Sequence, residues 1–196
     1  MEIIVKEKPE NLSYEKICKL IREAHKCNIE KGLKYGSASI TEEGYKKKAL
    51  NISFKTFVAM VDDEVVGTLS VSVIDVNRWF HKGKAGYIEL VAVDPEIRGK
   101  HIFKSLYDEC ERYLKEYFID KILIISAEKN EAIKSFCLKN GFYIVKYGRG
   151  VSNNFFSNFY FKWINGCPHK DIVIKIIFLI DKMAHIIAYK IRKREV

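Results

Sequence analysis

The sequence lacks several features that would each have set its class. No stretch of about 18 uncharged apolar residues is present, the length a helix needs to cross a membrane. No secretory leader opens the chain. Met1-Glu2-Ile3-Ile4-Val5 reads instead as a short strand followed by charges. The five cysteines, at 18, 27, 110, 137 and 167, form no pair with metal-ligand spacing, so neither a zinc site nor a disulfide framework is expected. Cys18, Cys110 and Cys137 fall on predicted helix faces and read as small buried thiols of a reducing cytoplasm. Internal repeats and low-complexity segments are absent, and so is any motif that interleaves aromatic and basic residues. The formal charge of +9, with lysine spread throughout, is therefore not assigned to nucleic acid. An anionic cofactor, an acidic partner or a membrane surface accounts for the sign equally well.

What is present suits one globular domain with a full core: 196 residues, 48% hydrophobic and 30% charged. Glu2 to Glu7 reads as a strand. Leu12 to Glu30 reads as a helix with Ile17, Leu20, Ile21, Ala24 and His25 along one face, capped by Asn11 or Ser13. Lys31 to Ser39 is a loop, and Thr41 to Leu50 a second helix. Strands Phe54 to Val61 and Val65 to Ile74 are joined through Asp62-Asp63-Glu64, a hairpin signal. Asp75 to Gly86 is predicted as a loop carrying Trp79, Phe80 and His81. Strands Tyr87 to Ala92, Ile122 to Ser126, Phe142 to Tyr147 and Phe155 to Trp163 follow, with helices from Ile102 to Tyr117 and Asn130 to Lys139 between them. The order β-α-α-β-β-β-α-β-α-β-β predicts a mixed, mostly antiparallel α/β sheet flanked by helices, because the hairpin cannot be parallel.

The most informative stretch joins a strand to an amphipathic helix. Tyr87-Ile88-Glu89-Leu90-Val91-Ala92 is apolar and branched, and Pro95 ends it because proline has no N–H to give a ladder. Ile102, Phe103, Leu106, Tyr107, Cys110, Tyr113, Leu114 and Tyr117 then recur at helical spacing. Between them Arg98-Gly99-Lys100 leads into a helix start, which attracts phosphate through N–H groups without helical partners and through the dipole.

Val93, Pro95, Arg98, Gly99 and Lys100 resemble motif A of the GNAT superfamily of acyl-CoA-dependent N-acyltransferases. His101 and Phe103 stand where that family usually has glycine, or glycine or alanine. Asn130, Lys139, Gly141 and Phe142 are similar to its motif B, from which Ile133 and Cys137 depart. The resemblance extends over residues 1–164, taken as the acyltransferase domain. It implies acetyl-CoA as co-substrate, no metal, direct attack by the primary amine of a small-molecule or peptide acceptor, and a gap beside the motif A strand that admits the acyl-CoA. It assigns the pyrophosphate to the N–H groups of Arg98, Gly99, Lys100, His101, Ile102, Phe103 and Lys104. It assigns pantetheine and thioester to Val91, Ala92 and Val93, with Asn130 either contacting CoA or capping its helix.

Glu89 is the expected general base. On a regular strand it shares a face with Tyr87 and Val91, and partial burial would raise its pKa to a useful range. The competing reading is a carboxylate paired with a nearby lysine, and His81 is the other candidate base. For the general acid the family often uses a tyrosine where this chain has Cys137. Cys137 and Tyr147 are the candidates, with Tyr143 and Tyr160 nearby and solvent as a further source. The acceptor site is expected from Lys31 to Ser39, Asp75 to Gly86 and Asn153-Asn154, lined by Tyr35, Trp79 and Phe80. The alternative function is a degenerate domain that binds acyl-CoA or a partner without turnover.

Residues 165–196 form an extension. His169 to Arg194 reads as one helix with Asp171, Lys175, Asp181, Lys182, His185 and Arg192 on one side and an apolar stripe about half its circumference wide. It is expected to dock on its own domain or on a second subunit. The other reading is an interfacial anchor with the basic end 190–194 at anionic lipid. The location expected is cytoplasmic, peripheral to a membrane under the anchor reading.

Overall fold

A computed structural model describes residues 2–30, 32, 35–77, 82–149, 155–166 and 171–192. The chain forms two compact units, Met1–Asp120 and Lys121–Val196. The division falls inside the region expected as one domain, and the C-terminal helix belongs with the second unit because it packs on a strand there.

The first unit holds β1 (Ile4–Glu7), α1 (Tyr14–Glu30), α2 (Glu42–Ala49), β2 (Phe54–Val61), β3 (Glu64–Val76), β4 (Gly83–Val93) and α3 (Ile102–Glu116). Strands β1 to β4 pair in sequence, each antiparallel to the next. Ser13, not Asn11, caps α1, accepting the Lys16 N–H at 3.3 Å. Thr41 caps α2 by accepting the Gly44 N–H at 3.1 Å. Asp62 and Asp63 both take left-handed φ, 47° and 65°, as a two-residue hairpin loop matched to strand twist requires.

On one face of this sheet, Ile17, Cys18, Leu20, Ile21 and Ala24 of α1 pack with Tyr45, Phe54, Val58, Met60, Leu90 and Ala92. On the other lies α3, and glycine makes its approach possible. A Cβ at Gly67 would stand 2.7 Å from Ile102 Cγ2, and one at Gly86 2.5 Å from Leu114 Cδ1.

Within the predicted 75–86 loop, Asp75 and Val76 extend β3 and residues 83–86 open β4. Pairing continues through Ile74–Ala85 and Asp75–Lys84 to Val76–Gly83. Local propensity at Gly83 and Gly86 argues against strand, but ladder partners and the cover of Leu114 outweigh it. Trp79, Phe80 and His81 lie outside the described residues.

The second unit holds β5 (Lys121–Ala127), α4 (Glu131–Lys139), β6 (Tyr143–Arg149), β7 (Phe156–Trp163) and α5 (Asp171–Arg192). Strand β7 lies between β5 and β6, antiparallel to both. Cys18, Cys110 and Cys137 are all buried, as expected, while Cys27 is exposed.

Candidate functional site

The β4–α3 connection is built from three departures from regular backbone. The first is a bulge: Glu89 pairs with Ser70 and Ala92 with Thr68, so Leu90 and Val91 together oppose Leu69. Leu90 takes φ 52°, uncommon for a leucine, and is buried in the α1 cluster. The bulge corrects the expected alternation. Tyr87 shares Glu89's face by register, but beyond Glu89 it is Ala92, not Val91, that returns to it. Ala92 and Val93 rejoin the β3 ladder opposite Thr68 and Gly67.

The second and third departures are Gly99 at φ 86° and His101 at φ 58°, ψ 14°. Between β4 and this turn, Pro95–Ile97 makes one 3-10 turn whose start is capped by Asp94, accepting the Glu96 N–H at 2.9 Å. His101 adopts a conformation that costs a non-glycine residue roughly 1–2 kcal/mol. The glycine-type geometry of the loop is thus kept where the glycine is absent. The first bond of the helix ladder runs from the Ser105 N–H to the His101 carbonyl at 3.0 Å. The N–H groups before Ser105 stand outside that ladder.

Two basic side chains of the 98–104 segment are engaged within the unit. Arg98 donates from Nη2 to the Ala24 carbonyl at 2.9 Å, which ties the loop to α1. Lys104 pairs with Asp108 one turn on, at 2.6 Å. Lys100 and His101 are exposed, Ile102 is buried under β3, and Phe103 is half-buried.

Glu89 is largely buried, its side chain 12% exposed, and both its oxygens are occupied. Oε2 pairs with Lys48 Nζ at 2.7 Å and Oε1 accepts from Ser72 Oγ at 2.6 Å. The lysine partner of the competing reading is therefore real, and it comes from α2. Nothing local marks it, because Lys48 and Glu89 are 41 residues apart.

His25 is the residue that sequence reasoning left among core positions. Both ring nitrogens are shielded from solvent, and among the described residues the polar group that acts on them is the Val91 main chain, short of a well-formed hydrogen bond. The ring stacks on Tyr35 with centroids 5.1 Å apart. Burial pushes its pKa below the ordinary 6.5; the Val91 main chain partly offsets this and the Arg98 charge reinforces it. His25 thus joins the bulge, the Arg98 loop and an expected acceptor-loop residue. The only sequence signal was a histidine on an apolar helix face.

A stability effect follows. The unfolded chain binds a proton at His25 below pH 6.5 that the folded chain resists, so stability should fall as pH drops through and below that value. His25→Gln should flatten this acid limb in thermal unfolding followed from pH 8 to 5 (roughly the range over which histidine titrates).

The second unit holds the remaining expected residues. Asn130 caps α4, accepting the Ile133 N–H at 3.2 Å. Cys137 is fully buried, and burial pushes its thiol up to about 12. The Tyr147 hydroxyl donates to Glu128 Oε2 at 2.7 Å, and burial followed by that carboxylate raises its pKa. Tyr160 is buried, with its oxygen accepting from Asn158 Nδ2 at 3.3 Å. Asn153 and Asn154 lie outside the described residues.

A strand passing through a turn into a helix, on an antiparallel sheet with helices on both faces, is the arrangement the motifs implied. The sequence matches the acetyltransferase (GNAT) family over residues 19–142, and the chain belongs to that family. Solved structures agree on the fold. The PaiA N-acetyltransferase from Thermoplasma acidophilum, in complex with coenzyme A, is similar at 20% identity and TM-score 0.62, covering 83% of this chain and 99% of that one. FeeM, an N-acyl amino acid synthase from uncultured soil microbes, is similar at 14% identity and TM-score 0.64, covering 84% and 91%. Arabidopsis thaliana NAA60, in complex with a bisubstrate analogue, is similar at 15% identity and TM-score 0.62, covering 83% and 99%. No curated protein sequence matches the chain.

Proposed function

We propose that the chain is an N-acyltransferase that moves an acyl group, acetyl in the first instance, from CoA to the primary amine of a small molecule or peptide. The observation that carries this reading is the left-handed turn at Gly99 and His101 opening α3, kept despite the loss of a family glycine. CoA is the donor the family uses, and the residues present fit it. The N–H groups around the start of α3 would face the pyrophosphate. The bulged main chain at Leu90 and Val91, without a register partner on β3, would face the thioester.

The amine nitrogen attacks the thioester carbonyl, and the C–S bond breaks as the oxyanion collapses, releasing CoA thiolate. Glu89 accepts the proton lost by the amine, directly or through a water. Lys48 already places a primary ammonium against this carboxylate at 2.7 Å, the contact an acceptor ammonium would make before it is deprotonated. His25, beside Val91 and with its pKa lowered by burial, is the second candidate base. The thiolate takes its proton from solvent. Cys137, with a pKa near 12 and no exposure, is poorly matched to a thiol leaving group whose pKa is about 8.5. The Tyr147 proton is already committed to Glu128.

The occupied state of Glu89 also supports the alternative, a degenerate domain that binds acyl-CoA or a partner without turnover. Thermal unfolding with acetyl-CoA, longer acyl-CoAs and free CoA comes first. Saturation near a hundred times Kd should add roughly 2.7 kcal/mol, a rise on the order of 5–10 °C. Thiol release across a panel of amines then separates turnover from binding. No shift with any of these ligands would overturn the acyltransferase and leave the partner-binding form of the alternative.

A further inference from the structure

Helix α5 docks on its own unit by a mixed side, on which Ile174 is buried, Ile177 and Phe178 are half-buried and Tyr189 packs edge-on against Phe156. Asp181 Oδ2 accepts the Tyr147 N–H at 2.7 Å, and Lys182 Nζ reaches Glu128 Oε1 at 2.8 Å and covers the Tyr147 ring. His185 lies close to Asp181 and to Gly148. Among the described aliphatic side chains of α5, only Ile174 is fully buried. A helix that merely completed a core would turn its apolar stripe inward. This one turns it out, exposing Ile172, Ile176, Leu179, Ile180, Met183 and Ile187 along one face. Among the described side chains of α5, the exposed ones are apolar or aromatic except Lys175.

Charge says what covers this face. The second unit, Lys121–Val196, contains 14 of the 34 lysines and arginines but only five of the 25 acidic residues. The first unit contains 20 of each, so the whole excess of nine positive charges lies in the unit that carries α5. The sequence beyond the apolar face continues Lys190-Ile191-Arg192-Lys193-Arg194. Two copies meeting through this face would bring two strongly basic units together, whereas an anionic surface neutralises both. Among the described residues no helix is long and apolar enough to cross a membrane.

From these observations we infer that α5 is an interfacial membrane anchor. Its outward face lies in the headgroup boundary of an anionic bilayer, with the basic end against the lipid phosphates. The inference does not depend on the acyltransferase reading.

Sedimentation of the full chain with vesicles tests it without any acceptor. Vesicles of phosphatidylcholine with phosphatidylglycerol should bind the protein roughly tenfold or more tightly than phosphatidylcholine alone, with binding reversed by high salt. The double variant I176E/I180E should lose about a hundredfold in binding, since each change removes an aliphatic group from lipid. Both sites are exposed, so its unfolding temperature should stay unchanged. Equal failure of the parent protein on both vesicle types would overturn the anchor. A dimer in sedimentation equilibrium without lipid that I176E/I180E dissociates would also overturn it and assign the face to a second copy. Retention on immobilised RNA or DNA with no vesicle binding would assign the basic unit to nucleic acid instead.

Discussion

Glu89→Gln is expected to lower kcat by roughly two to three orders of magnitude, within the usual range for removal of a general base, with CoA affinity unchanged. The substitution preserves volume and can still accept from Ser72, so it isolates the charge. Its effect on stability should be small, about 1 kcal/mol or less, because Lys48 is 42% exposed and such pairs contribute little. Lys48→Met provides the contrast. If the lysine only occupies the acceptor's place, its loss frees the carboxylate, and kcat/KM for a cationic amine should hold or rise. Steady-state kinetics on both variants, with CoA binding measured by calorimetry, reads these effects. Full rate in Glu89→Gln would remove Glu89 as the base and turn attention to His25, whose own variant should then shift the acid limb of the pH–rate profile.

Gly67→Ala is expected to damage stability and donor binding together. The added methyl would stand 2.7 Å from Ile102 Cγ2, 3.1 Å from Leu106 Cδ1 and 3.3 Å from Ala59 Cβ. Ile102 and Leu106 are fully buried, and a β-branched residue has little rotamer freedom with which to yield. The strain must move the start of α3 away from β3. Overpacking of this kind costs about 1–3 kcal/mol, which lowers Tm by roughly 2–4 °C per kcal/mol in a chain of this size. The N–H groups proposed to face the pyrophosphate lie in that same turn, so acetyl-CoA affinity should fall as well. Gly99→Ala separates the two effects. A Cβ there meets nothing within 4 Å, and its cost comes only from φ 86°, about 1 kcal/mol. Thermal unfolding and calorimetric titration of the two variants would distinguish them. Unchanged CoA binding in Gly67→Ala would mean that the first turn of α3 does not carry the donor.

The parts of this protein that were legible in its sequence are those set by neighbours within a few residues. The 3.6-residue periodicity of Ile17, Leu20, Ile21 and Ala24 marked α1, and the helix starts read at Thr41 and Asn130 are where α2 and α4 begin. Pro95 and Gly99 placed the strand-to-helix turn, because each limits or widens backbone freedom at its own position. The carboxylate at Glu89 was visible, but its state was not.

Tertiary structure decided what depends on distant partners. The bulge at Leu90 comes from β3 register and burial against α1, not from any glycine, and it changed which residues share Glu89's face. Asp75, Val76 and residues 83–86 became strand because ladder partners and Leu114 overrode two glycines. Lys48 reached Glu89 across 41 residues, and Arg98 reached the Ala24 carbonyl across 74. The periodicity of α5 gave an apolar stripe without a direction. Pairing of Asp181 and Lys182 with β6 and Glu128 turned that stripe outward, because hydrogen-bonded polar groups can be placed against a unit at little desolvation cost while the aliphatic face remains open to a surface elsewhere.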